Sequence, residues 1–247
     1  MEASEYKNIY EKEERHFFYR ANHALFLSHV SYLGTKLGRQ LKILDAGAGT
    51  GLLAKKLKKF GEVTGVDINP EAIYFSKKRG VNVKKTSVNK LPFKSETFDL
   101  VVSMDVLYHR KVNDKKALSE IYRVLKPRGL LLLRVPASPI LFSSHDRYVH
   151  TRERYTKQKL LGRLEKAGFK VEKISYINTI LFFPALLKFL YEKIIKSDHS
   201  SSNIKQIPER LNQVILTFLS FENWLLKYAS LPFGIGLFAV AKKKELP

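Results

Sequence analysis

Stretches with an apolar residue at every third or fourth position alternate along this chain with short, densely apolar runs. Residues 5–37 carry Phe17, Ala21, Ala24, Leu25 and Val30 at helical spacing until Gly34 and Gly38 end the pattern. Leu41–Ala46 reads as a strand, and the following helix, over 51–60, turns Leu53, Leu57 and Phe60 to a sheet. A second strand, 63–67, leads to Asn69-Pro70-Glu71, an N-cap, a proline at the first helical position and an acidic first turn. Gly80 stops that helix and 81–85 forms a third strand. Phe98–Met104 is almost continuously apolar, as a strand covered on both faces must be. Asn113 or Asp114 caps a helix burying Leu118, Ile121 and Leu125, and 129–135 follows as strand five. Thr156 caps a helix with Leu160, Leu161 and Leu164 inside and Gly168 at its end. Phe169–Ile177 and 237–242 supply two last strands. The connections are long enough for right-handed crossovers between parallel strands, so the fold class is α/β.

Residues 178–230 exceed this alternation. They read as two apolar helices around a polar linker, Ser197 to Asn203. The first carries Leu187, Leu190, Tyr191, Ile194 and Ile195; the second carries Leu211, Ile215, Phe218, Phe221, Trp224 and Leu225. Neither reads as a membrane span, since Pro184 interrupts the first and Glu222 and Lys227 lie in the second. The pair is either a lid that completes the core or one that docks on lipid or shapes a pocket for an amphiphile.

The chemistry is concentrated where the first strand ends. Asp45 precedes Gly47, Gly49 and Gly51, glycines that let a strand turn sharply into a helix while leaving the backbone open to a ligand. Amides at the helix start near Leu52 can hold an anionic group. A dinucleotide fingerprint would need its third glycine at Leu52, which disfavours a nicotinamide cofactor. Asp67 closes the second strand about twenty residues beyond the first glycine, where a carboxylate accepts hydrogen bonds from ribose hydroxyls.

Leu44-Asp45-Ala46-Gly47-Ala48-Gly49-Thr50-Gly51, Gly65-Val66-Asp67-Ile68, Leu91-Pro92-Phe93, Phe98-Asp99-Leu100-Val101-Val102-Ser103 and Arg123-Val124-Leu125-Lys126-Pro127-Arg128-Gly129 carry a resemblance. In order and spacing they resemble the class I S-adenosylmethionine-dependent methyltransferases, of methyltransferase type 11. The resemblance implies a single domain over 1–247, with an N-terminal helical extension (1–40), a donor-binding core (41–135) and a helical lid insertion (178–230). It implies a Rossmann-like, seven-stranded, mostly parallel sheet whose last strand is antiparallel. The cofactor it implies is S-adenosyl-L-methionine. Gly47, Ala48, Gly49 and Gly51 would form the turn around its amino-acid portion, with Asp45 near the ammonium. Asp67 would take the ribose and Ile68 the adenine. Ser87 stands where an acidic residue often meets the adenine amine, with Val88 beside it. Met104 would lie next to the methyl group. His16-Phe17-Phe18-Tyr19-Arg20 resembles an element covering the donor, from which Arg20 would pair with the donor carboxylate.

Ser144-His145-Asp146-Arg147-Tyr148-Val149-His150-Thr151-Arg152-Glu153-Arg154-Tyr155 resembles a stretch of a subgroup linked with cell-envelope saccharide pathways. It implies a sugar or lipid-linked sugar acceptor methylated at oxygen. His145, Asp146 and His150 are its candidate catalytic residues, with His109 after strand four as a second candidate. Arginines there suit an acceptor phosphate or carboxylate. A quinone-like lipid, an RNA, or a non-catalytic donor-binding subunit are the alternatives.

Composition adds three expectations. The chain has 45% hydrophobic residues and no cysteine, which excludes disulfides, thiolate metal sites and a cysteine nucleophile; no metal is expected. Residues 1–30 are charged and aromatic, without a basic start and apolar run, so a cytoplasmic location is expected, with peripheral contact to an anionic membrane as an option. The formal charge of +21 suits nucleic acid, an anionic membrane surface, or merely a lysine-rich proteome. No RNA-binding module is recognisable.

Overall fold

The computed structural model describes residues 3–195, 202, 204 and 206–245. Seven strands form one sheet in the order β3-β2-β1-β4-β5-β7-β6. They are β1 (Leu41–Ala46), β2 (Gly61–Asp67), β3 (Val83–Lys85), β4 (Phe98–Met104), β5 (Leu125–Pro136), β6 (Phe169–Ile177) and β7 (Gly236–Lys243). Strands β3, β2, β1, β4 and β5 pair parallel, and β7 runs antiparallel to both its neighbours, β5 and β6. The chain order reverses between β1 and β4, which opens a crevice beyond their carboxyl ends.

Alternate residues of the central strands feed two separate apolar layers. Leu44, Val101, Leu131 and Leu133 pack with Leu118, Ile121, Leu160 and Leu164 on one face. Ile43, Leu100, Val102 and Leu132 pack with Leu25, Phe26, Leu53 and Leu57 on the other. Two-sided burial explains why β4 carries apolar side chains at both parities.

Six of the α-helices belong to this core and its rim: α1 (Ala3–Lys12), α2 (Phe17–Leu37), α3 (Leu52–Leu57), α4 (Pro70–Lys78), α5 (Asp114–Val124) and α6 (Ser144–Tyr148). Next come α7 (Lys157–Lys166) and the insertion helices α8 (Phe182–Ile195) and α9 (Glu209–Leu225). Asn69, Asn113 and Thr156 each accept a backbone N–H as N-caps. The helical expectation for 5–37 is corrected to two helices. The chain breaks at 13–16, where Glu13 turns inward to pair with Arg79 and accept from Thr50. Strand β5 starts earlier than expected, because Leu125 already pairs with Phe98 before a register shift. Arg128 sits in that irregular stretch with φ of 63° and pairs with Glu245 at 2.7 Å. The linker from Ser197 to Asn203 lies, apart from Ser202, outside the described residues.

Asp99 at the start of β4 ties the N-terminal extension to the sheet. Its carboxylate accepts from Arg39 (2.7 and 3.1 Å), Lys126 (2.8 Å) and the Lys42 amide (2.8 Å). Burial pushes its acidity down, but these donors overcome that and hold the carboxyl well below the usual range. The folded state thus favours the ionised form, giving stability that is present above the ordinary value of 3.8 and lost as pH falls beneath it. Asp99→Asn is expected to cost about 2 kcal/mol at neutral pH. Urea unfolding at neutral and acidic pH checks this: the gap to wild type must shrink below about pH 4.

Candidate functional site

A cavity of about 630 Å³ opens at the carboxyl ends of β1, β2, β4 and β5. Asp45 and Asp67, the last acidic residues of adjacent strands, both line it. Asp67 is fixed by the turn it helps to build: the Gly49 amide donates to its Oδ2 (3.0 Å) and the Asn69 amide to its Oδ1 (2.9 Å). Burial raises its pKa, and these amides pull it part of the way back. Asp45 lacks such help. Its Oδ2 is buried without a hydrogen-bond partner among the described residues. Burial first, and the charge of Asp67 second, push its pKa up to about 7.

The glycine turn is tight for stated reasons. Gly47 has φ of 96°, and a Cβ there would lie 2.2 Å from Val106 Cγ2. Gly49 (φ 53°) has open space where its side chain would be. The amides of Gly47 and Ala48 both donate to the Val66 carbonyl at 2.9 Å, which locks the turn to β2. Gly51, the N-cap of α3, packs on Ser76 and stands outside the cavity lining. Ala48, Ile68, Ser87, Val88 and Met104 all line the cavity. Ile68 is half exposed and Val88 is buried.

Arg20 needs a correction. It is absent from the lining, and its charge is felt by Lys56 on α3. The same segment instead presents Phe17, Phe18 and Tyr19, with His23 one turn beyond Tyr19. Among the cationic groups that line the cavity, with Arg110, Lys111 and Arg154, is Arg134 of β5, which sequence reasoning missed. It pairs with Asp105, donates to Asn22 (3.0 Å) and Asn178 (3.3 Å), and lies 4.8 Å from the Phe18 ring centre. An arginine after four leucines in a strand buried on both faces was the available signal, because such a charge must be paired.

The four candidate catalytic residues, His109, His145, Asp146 and His150, line this cavity too. The loop after β4 and the segment after β5 are joined by a β-bridge between His109 and Thr151. Arg110 N–H donates to His150 O (3.1 Å) and Arg152 N–H to Tyr108 O (2.8 Å). The His109 ring stacks on Tyr108 at 4.3 Å. Burial lowers the His109 pKa to about 4, so this imidazole is neutral at physiological pH. Asp146 is held by an arginine and by a helix start. Its oxygens accept from Arg154 Nε (3.0 Å each) and from the Ser143 amide (2.9 Å), capping α6. Arg152 pairs with Asp114 and Glu153 and donates to the Leu107 carbonyl. These arginines therefore staple the loop.

The lining fits the donor that the resemblance implies. An orphaned carboxylate oxygen beside a second carboxylate calls for a cation, and an ammonium would satisfy it; the anchored Asp67 would take vicinal hydroxyls. Two outcomes follow. Asp67→Ala is expected to weaken S-adenosylmethionine binding about 10- to 100-fold by calorimetry. The elevated Asp45 pKa means that the free protein holds a proton there below about pH 7. An ammonium favours the ionised form, so affinity must rise with pH up to about 7 and binding must release a proton below it. Calorimetry near pH 6 in buffers of different ionisation heat measures that proton, and Asp45→Asn abolishes it.

Residues 44–133 match the family model described as a methyltransferase domain. A malonyl-acyl-carrier-protein O-methyltransferase from Buchnera aphidicola is 30% identical over 182 residues, 68% of this chain and 70% of that one. A ubiquinone/menaquinone biosynthesis C-methyltransferase from Marinomonas is 36% identical over 143 residues, 51% of this chain and 55% of its own. Two curated relatives from Methanocaldococcus jannaschii are matched over 61% of their length. A chain from the complex between the Haloferax volcanii Trm112 methyltransferase activator and a methyltransferase shares the fold. Its TM-score is 0.59 at 20% identity, over 99% of this chain and 95% of that one. By motif, fold and relatives, the chain belongs to the class I S-adenosylmethionine-dependent methyltransferase family.

Proposed function

We propose that the protein transfers a methyl group from S-adenosylmethionine to an oxygen of a small or amphiphilic acceptor, a saccharide or lipid-linked sugar. The observation that carries this reading is the meeting of three histidines and the paired carboxylates in one cavity. When bound, the donor supplies a methyl group already activated by its sulfonium charge. The protein's share is then to hold the acceptor in line, exclude water and remove one proton.

His109 is the proton acceptor in this reading. Its ring is neutral, and backbone hydrogen bonds at Val149 and His150 orient it. His145 and His150 flank the acceptor, while Asp146 positions their segment through Arg154. The apolar part of the lining, with Ile9, Phe17 and Leu181, suits an acceptor with a hydrocarbon portion. A quinone-like lipid methylated at carbon is the second reading, favoured by the Marinomonas relative's name.

Labelled methyl transfer into fractionated cell extract, followed by product identification, separates the readings. Label on a sugar oxygen supports the first and label on a quinone ring carbon the second; no labelled product overturns methyl transfer. His109→Gln is expected to lower kcat at least about 100-fold while donor affinity stays within about twofold. Because His109 stays neutral down to about pH 4, the rate at low donor concentration should follow the Asp45 titration near 7. A wild-type rate in His109→Gln removes this assignment.

A further inference from the structure

Helix α9 is amphipathic in the inverted sense. It turns Asn212 and Glu222 inward together with Leu219. Asn212 accepts from the Phe17 amide (2.8 Å) and donates to the Arg15 carbonyl (2.9 Å), and Glu222 accepts from the amides of Asn178 and Thr179. Outward it presents Leu211, Val214, Phe218, Phe221 and Trp224, spaced three or four apart, with Trp224 stacked on Phe221 at 5.5 Å and Tyr228 exposed just beyond the helix. Helix α8 has fourteen residues, and none of them is buried. Its Phe183, Leu187, Tyr191 and Ile194 are 59–80% exposed and share one face. The described residues leave these apolar side chains largely uncovered, and such faces mark interaction surfaces.

We infer that the α8–α9 insertion docks on an anionic lipid bilayer and presents a membrane-borne acceptor to the cavity. Charge selects this occupant. The chain carries a formal +21, which opposes a second copy of itself and favours an anionic surface. Exposed cations border the stripes, Lys193 on α8, Arg210 on α9 and Lys227 just beyond it, where their heads reach phosphates while the aromatics sit among the headgroups. Among the described residues no helix is long and apolar enough to cross a membrane, so the contact lies in the interface plane. Leu181, just before α8, and Ile204, between the two helices, line the cavity. The apolar surface therefore borders the site, and an acceptor with a lipid tail reaches it without crossing water. This delivery step rests on the methyl-transfer reading; the docking itself does not.

The test uses the full chain and vesicles of phosphatidylcholine with or without phosphatidylglycerol. Trp224 is the single tryptophan. Its emission is expected to shift to the blue, and the protein to sediment, with phosphatidylglycerol vesicles only. The pairs Phe218→Glu with Phe221→Glu, and Leu187→Glu with Ile194→Glu, should each lower the bound fraction about tenfold or more. Donor affinity by calorimetry should stay within about twofold, which shows that both variants are folded and keeps this outcome separate from the donor site. The inference is overturned if wild type stays in the supernatant, or if the paired variants sediment like wild type. A dimer in vesicle-free sedimentation velocity that the same substitutions dissolve also overturns it, because the face then joins two copies.

Discussion

Two carboxylates brought to the tips of adjacent strands, out of water and without a full set of donors, are the constraint around which this molecule is arranged. Asp67 is stabilised by amides of the turn that it supports. Asp45 is not, and its Oδ2 has no protein partner among the described residues. Folding alone would discard such a group, since an apolar side chain of that size would pack at lower cost. Its presence makes physical sense once a cation enters. The parallel sheet, its reversal between β1 and β4 and the glycine turn are the means of keeping the two oxygens apart from water.

The acceptor side is assembled by a different principle. Two loops on neighbouring strands are zipped together by backbone hydrogen bonds at His109, Arg110 and Thr151 and held by buried or half-buried arginines. Arg134 and Arg154, two of the cations lining the cavity, each face a carboxylate, so their charge is consumed internally. The lining also mixes imidazoles with apolar side chains. Such a surface suits a ligand that is itself part polar and part hydrocarbon.

How much of this was legible in the sequence depended on whether the deciding force was local. Strands β1, β4 and β6 and the caps Asn69 and Thr156 follow from periodicity and short-range hydrogen bonding, and the structure has them at the expected residues. Glycine spacing and a carboxylate at a strand tip encode backbone shape, and the structure brings Asp45, Gly47, Gly49 and Asp67 to one cavity. The break at 13–16 was not, because it depends on Glu13 meeting Arg79 across 66 positions of sequence. The contacts of Asp146 with Arg154 and with the α6 N-terminus were equally hidden, because they depend on how the segment folds back on itself. Arg20 and Tyr19 differ by one residue, yet helical rotation sends only one of them to the cavity.

Glu13 has a wider consequence. It closes the gap between α1 and α2, clasping Arg79 of α4's end and Thr50 of the glycine turn, while Tyr10 stacks on Phe75. Tyr6, Ile9 and Glu13 all face the cavity. The N-terminal arm is thus a latch bolted to the glycine turn. In the proposed reaction, exchange of spent for fresh donor past this arm would require unbolting it, which would tie the tempo of turnover to two side chains remote from any bond being made.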